Sequence, residues 1–218
     1  MKKIILIIAV LFVVNSLIAQ SKEAILINSG LSVPSSTQYF SDYWNAGFNF
    51  GGGFEYYLNS NTALQVYIDY NHFPFDDQKA IAALDLSSST ISSGGGANIL
   101  NISVDVKYLL TNDKTFSPYI LGGIGYFNFS LSDLSSSDLY GDSHSATGGS
   151  VSAFSINFGF GAEFMVSSDI SIFADARYVL GFTNNSTVNF TLDQNVQPYT
   201  LSDNTHYIPL RVGVSYNL

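Results

Sequence analysis

Apolar and polar side chains alternate along most of this chain. In "NAGFNFGGGFEYYL", Phe48, Phe50, Phe54, Tyr56 and Leu58 are interleaved with Asn49, Gly51, Gly53 and Glu55. In "LQVYIDY", Leu64, Val66, Ile68 and Tyr70 alternate with Gln65, Tyr67 and Asp69. "LNISVDVKYLL" sets Leu100, Ile102, Val104, Val106 and Tyr108 against Asn101, Ser103, Asp105 and Lys107. "FSINFGFGAEFMV" sets Phe154, Ile156, Phe158, Phe160 and Phe164 against Ser155, Asn157, Gly159, Gly161 and Glu163. Successive side chains of a strand point to opposite faces, so each segment predicts a strand with one apolar face and one polar or small face. Four further segments extend the scheme: Ala24–Val33, Tyr119–Leu131, Ile170–Phe182 and Ile208–Leu218. The fifth, Tyr119–Leu131, alternates least cleanly, because Ile120 and Ile124 oppose Leu121, Phe127 and Phe129.

The connections alternate too. Residues 59–61, 111–115 and 167–169 are short turns, whereas 34–44, 75–96, 132–150 and 184–203 are long and rich in Ser, Asp, Asn and Gly. Eight strands with short and long connections in turn predict an all-β, antiparallel, up-and-down barrel with both termini at the short-turn rim. The two faces decide its surroundings. An eight-stranded barrel has an interior only just wide enough for side chains. Phe48, Phe50, Phe54, Phe154, Phe158, Phe160 and Phe164, with similar apolar rows from six other strands, would overfill it, whereas Gly51, Gly53, Gly122, Gly159, Gly161 and Gly213 fit. The aromatic rows therefore face outward, into lipid, and closure leaves no unpaired strand edge for the bilayer to solvate. The fold class expected is a transmembrane β-barrel.

Composition agrees with a surface that does not meet water. Charged residues make up 11% of the chain, against roughly 25% in an ordinary soluble domain. Lys2 and Lys3 precede the apolar run Ile4–Val14, and "NSLIA" leads to Ala19 before Gln20. That is the plan of a secretory signal, and the run is shorter than the roughly 20 residues of a spanning helix. The domain organisation expected is a cleaved signal over 1–19 and a barrel over 20–218. Loss of the two lysines moves the formal charge from −9 to −11, which argues against nucleic-acid partners. The chain has no cysteine, so no disulfide holds it together.

Taken together, the signal, the eight alternating segments, "PYILGGIGY", "GFGAEF", "ARYVLGF" and the aromatic-containing last strand resemble the small outer-membrane β-barrel family, the OmpA/OmpX-like, porin-like barrel domain. The likeness spans essentially all of Gln20 to Leu218. It implies a place in the bacterial outer membrane among lipid and lipopolysaccharide. It also implies insertion by the outer-membrane assembly machinery, which reads the last strand. That strand usually ends in Phe or Trp; here Val212, Val214, Tyr216 and Leu218 form the terminal signal. No periplasmic peptidoglycan-binding domain follows, so no cell-wall tether is implied.

Eight ionisable residues share the inward face: Glu55, Asp69, Asp105, Lys107, Glu163, Asp175, Arg177 and Arg211. Charges taken from water need partners. The expectation is a structural ion-pair network, with Arg177 and Arg211 among Asp69, Asp105 and Asp175, and Lys107 near Glu55 and Glu163. Either water and the hydroxyls of Ser103 and Ser215 absorb the excess negative charge, or one carboxylate is held protonated. A selectivity ring and a catalytic carboxylate pair are the competing readings. His72, His144 and His206 fall at the long-connection rim as solvated residues, with no acid at a fixed spacing to orient them. Asp42, Asp76, Asp77, Asp85, Asp133, Asp138, Asp142, Asp193 and Asp203 make that rim acidic, without the spacing of a calcium loop. "QKAIAALDL" (78–86) is expected to form a short helix over the mouth, and Tyr39, Phe40, Tyr43, Trp44, Phe73 and Phe75 an aromatic girdle at the interface or, equally, part of a ligand surface. No cofactor or metal site is expected. The functional reading is a non-enzymatic structural or interaction barrel with acidic outer loops and a side-chain-plugged lumen. A narrow channel or conduit for small hydrophobic ligands is the alternative, and a lipid A-modifying enzyme is a third class. The sequence names no extracellular ligand.

Overall fold

The computed structural model describes residues 23–35, 40–78, 91–111, 113, 115–137, 143–192 and 195–218. The signal segment, Tyr39, most of the 78–86 segment, Asp85, Asp138, Asp142 and Asp193 lie outside the described residues.

Eight long strands close into one antiparallel barrel. They are β1 (Glu23–Pro34), β2 (Gly47–Tyr57), β3 (Thr62–Phe73), β5 (Ala97–Leu109), β6 (Phe116–Leu131), β9 (Ser150–Met165), β10 (Ile170–Gly181) and β13 (Thr205–Asn217). Each pairs with its sequence neighbour in the barrel, and β13 closes on β1 in the order β1-β13-β10-β9-β6-β5-β3-β2. The closing seam is long, running from Ala24 opposite Asn217 to Pro34 opposite Tyr207. The eight-stranded antiparallel barrel read from the alternation is thus the observed fold. One ladder is interrupted. β10 pairs with β13 from Ile170 to Ala176 and again from Val179 to Gly181. The break falls at Pro209, which has no N–H to give to a ladder.

The face assignment also holds. Ile27, Phe50, Ile68, Val104, Ile124, Phe158, Phe160 and Val212 are exposed on the outside, and the intervening residues are buried within the lumen. Gly122 is a correction. A Cβ there would meet only the Asn157 carbonyl oxygen at 3.5 Å, whereas one on Gly123 would strike the Asp105 carboxylate. Gly123 is the lumen-facing glycine, because Leu121 is buried inward and Ile120 and Ile124 are exposed. The blurred alternation of this strand has a simple cause: Leu121, Phe127 and Phe129 point into the lumen. The inward face is therefore not uniformly polar or small.

The long connections are more ordered than Ser-rich loops. They carry β4 (Ile91–Gly94), β7 (Leu134–Ser137), β8 (Ser143–Thr147), β11 (Thr187–Leu192) and β12 (Asn195–Thr200). These make a second sheet in the order β12-β11-β8-β7-β4. The Ser-rich β4, β7 and β8 lack period-two contrast, whereas β11, TVNFTL, alternates and buries Val188. Gly94 and Gly95, at φ +91° and +71°, turn β4 into β5 through a conformation that L side chains rarely adopt. One helical turn, α1 (Phe40–Tyr43), lies in the β1–β2 connection.

Candidate functional site in the barrel lumen

The lumen side chains fall into tiers along the axis. Nearest the short-turn rim, Lys107 lies two positions from the end of β5 and is only 2% exposed. Its Nζ donates to both Glu55 oxygens at 3.1 Å and to Glu163 Oε2 at 2.8 Å. Gln65 Nε2 also donates to Glu55 Oε2. The ammonium sits over the rings of Tyr119 (4.7 Å) and Tyr57 (5.9 Å), a favourable site for a desolvated cation.

Above it, two arginines and three aspartates interlock. Arg211 is 1% exposed. Its Nε and Nη2 donate to Asp175 Oδ1 and Oδ2 at 2.7 and 2.6 Å, and its Nη1 donates to Asp69 Oδ2 at 2.9 Å. Arg177 Nη1 donates to Asp105 Oδ2 at 2.6 Å and Nη2 to Gln65 Oε1 at 3.2 Å. Its Nε lies 3.5 Å from Asp175 Oδ2, close enough for charge attraction but without a hydrogen bond. Tyr67 lies against both guanidinium groups, 4.5 Å from Arg211 and 5.0 Å from Arg177, and its hydroxyl donates to Asn28 Oδ1 at 2.7 Å.

Each tier holds one more carboxylate than base. Neutral donors share the surplus. Asn157 Nδ2 donates to Asp105 Oδ1 at 2.9 Å, Ser103 Oγ to Asp105 Oδ2 at 3.0 Å, and Tyr119 OH to Asp175 Oδ2 at 3.1 Å. Ser215 is a correction, because its buried Oγ makes no hydrogen bond. The close packing depends on glycine. A Cβ on Gly161 would meet Asp175 Cβ at 2.6 Å and Tyr119 Cζ at 2.7 Å, and one on Gly51 would strike the Asp69 carboxylate. The eight ionisable residues of the inward face thus meet as two groups. The neutral partners Asn28, Gln65, Tyr67, Tyr119 and Asn157 were not singled out in the sequence. Their only signal was inward parity at the same depth.

The third tier is polar and uncharged. Ser32 Oγ donates to Asn71 Oδ1 at 2.6 Å, and Asn71 Nδ2 donates to the Tyr207 hydroxyl at 3.3 Å. The fourth, at the long-connection rim, is apolar. Phe73, Ala97, Ile99, Phe127, Phe129, Val179 and Tyr207 cluster there with Phe40 of α1. For Phe40 and Phe73 this overturns the girdle expectation. Phe73 is fully buried and Phe40 is 5% exposed, so both fill the lumen instead of meeting lipid. Trp44, half-buried, packs against this cluster and donates its Nε1–H to the Gly95 carbonyl at 2.8 Å. Phe73 continues the inward row of Asp69 and Asn71. Its chemistry suggested the interface, but its parity placed it inside.

His72 and His206 are not free solvated residues at the rim. His72 shares a hydrogen bond with Asn98 Oδ1 (2.8 Å) and packs on Phe48, and His206 shares one with Ser35 Oγ (3.0 Å) and packs on Tyr178. The His144 side chain lies outside the described residues. Among the described residues, no three His, Cys, Asp or Glu side chains converge as a metal site. On the last strand, Val212, Val214, Tyr216 and Leu218 all face outward.

The model of the outer membrane protein beta-barrel domain family matches residues 7–195. The chain belongs to that family. It resides in the bacterial outer membrane, in a lipid and lipopolysaccharide environment. Among curated proteins, none matches the chain significantly. Solved structures of other outer-membrane barrels share its fold. A major outer membrane protein of Thermus thermophilus has 14% identity and a TM-score of 0.57, with 91% of this chain and all of that one covered. Neisserial surface protein A has 14% identity and a TM-score of 0.54, over 91% of this chain and 99% of that one. OprG of Pseudomonas aeruginosa has 11% identity and a TM-score of 0.51, over 89% and 95%. At such identities the likeness is one of fold.

Proposed function

We propose that this outer-membrane barrel is a structural or interaction protein whose lumen is plugged by its own side chains. The carrying observation is the buried Arg211, held by Asp69 and Asp175 from opposite parts of the wall. Together with the Lys107 tier below and the aromatic tier above, it leaves little room for a continuous water path. Outer-membrane barrels carry short turns at the periplasmic side and longer loops outside, so the five-stranded sheet of the long connections is the surface offered to the exterior. Asp76, Asp77, Asp133 and Asp203 give that rim an acidic character.

The reading assigns no catalytic role. The lumen carboxylates are already engaged by bases and amide or hydroxyl donors, and His72 and His206 are engaged by Asn98 and Ser35. We further infer a cleaved signal over 1–19. We also infer recognition of β13, through Val212, Val214, Tyr216 and Leu218, by the outer-membrane assembly machinery. The deciding measurement is single-channel current in a planar bilayer. The purified protein should give no large, steady conductance, and a stable open pore would replace this reading with the narrow-channel one.

A further inference from the structure

The apolar tier at the long-connection rim is built unlike the tiers beneath it. Phe73, Ala97, Ile99, Phe127, Phe129, Val179 and Tyr207 all project from barrel strands, whose backbones are fixed on both sides by ladders. Phe40 does not. It comes from the single helical turn of the β1–β2 connection and enters the cluster from above. Its ring is enclosed edge-on by Phe73 (4.9 Å between centroids) and Phe129 (5.9 Å), with Trp44 at 5.7 Å. The site is floored by Tyr207 and Asn71, and below them by the charged tiers.

We infer that the rim end of the lumen is a binding cup for a small single-ring apolar molecule, and that Phe40 occupies it as an intramolecular stand-in. The wall supplies the chemistry that recognises a benzene-sized ring: aliphatic Ile99 and Val179, edge contacts from Phe73 and Phe129, and the buried ring of Phe127. An apolar chamber of this kind does not fill with water when vacated and accepts an apolar ring. The cup is a dead end, since the ion-paired tiers close its floor. A ligand enters only when α1 swings out, so its apparent affinity is reduced by the fraction of molecules with Phe40 withdrawn.

The fold supplies a reporter. Trp44 is the sole tryptophan and lies against both Phe40 and Phe129. Bromobenzene, whose heavy atom quenches indole emission at contact, is titrated into the protein in detergent micelles. Four proteins are compared: wild type, Phe40→Ala, Phe40→Leu, and Phe40→Ala with Ala97→Leu. Retention of the barrel is checked in each by heat-modifiable gel mobility. Saturable quenching is expected in wild type. It should be about tenfold to a hundredfold tighter in Phe40→Ala, the factor expected for removing a buried phenyl competitor. Phe40→Leu should fall between them, and keeps the comparison valid if the alanine variant does not fold. Ala97→Leu refills the cup from its wall and should abolish the saturable component. Quenching that never saturates, or that is the same in all folded proteins, reflects partition into the micelle and overturns the inference.

Discussion

Arg211 holds Asp175 with two nearly parallel hydrogen bonds, Nε to Oδ1 at 2.7 Å and Nη2 to Oδ2 at 2.6 Å, across the β10–β13 ladder. The two residues are direct partners in the register, so their fork geometry is set by the backbone. The third donor, Nη1, then reaches Asp69 on β3. One side chain thereby ties together strands from different parts of the barrel wall. Arg211→Ser leaves Asp175 and Asp69 without that donor in a buried site. The expected cost is about 3–5 kcal/mol, read as a lower urea midpoint for unfolding from lipid vesicles. A midpoint unchanged from wild type would show that water replaces the guanidinium at no cost. The same variant should pass a small, cation-selective current in a planar bilayer, because the remaining carboxylates outnumber the bases.

The two faces of β9 make opposite predictions at adjacent positions. Phe158 is 59% exposed toward lipid and Asn157 is buried against Asp105. Phe158→Arg should cost about 2–4 kcal/mol, the range for a basic residue at mid-membrane. Asn157→Leu should cost about 1–3 kcal/mol by removing a donor from a buried carboxylate. Both are measured by vesicle unfolding. A fully stable Phe158→Arg beside an unfolded Asn157→Leu would invert the assignment of faces.

Gly122 and Gly123 provide a finer test. Gly122→Ala adds a methyl group that meets only the Asn157 carbonyl oxygen, at ordinary contact distance, and should leave stability unchanged. Gly123→Ala drives a Cβ into the Asp105 carboxylate and the Val104 carbonyl. It should lower stability by about 1–3 kcal/mol, as overpacking does. Equal effects of the two substitutions would mean that the lumen can yield at Asp105.

The orientation predicts where proteases cut. Added to whole cells, a protease should nick the 75–96 or 132–150 connection and spare the 111–115 turn. Cleavage confined to 111–115 would reverse the topology.

Removal of a signal after Ala19 predicts a mature chain beginning at Gln20. Intact-mass measurement of protein extracted from the outer membrane checks this, and a mass that includes Met1–Ala19 would refute it.

The sequence by itself determined the barrel and its two faces. Period two is local: once Ile68 faces lipid, Asp69 must face the lumen, and no tertiary information is needed. Alternating connection lengths then ordered the strands. The depth of each charged residue was legible as well, because strand rise is constant and the short turns fix a common origin. What sequence could not supply was contact across the lumen. Tyr67 between two guanidinium groups, Gln65 bridging Glu55 and Arg177, and Tyr119 on Asp175 depend on stagger between strands far apart in the chain. Two structural features inverted local expectations. Phe40 and Phe73 carry the chemistry of an interface girdle, yet they fill the lumen because parity and the path of a connection place them there. The Ser-rich β4, β7 and β8 show no alternation, yet they pair into a sheet, because backbone hydrogen bonds need no side-chain pattern.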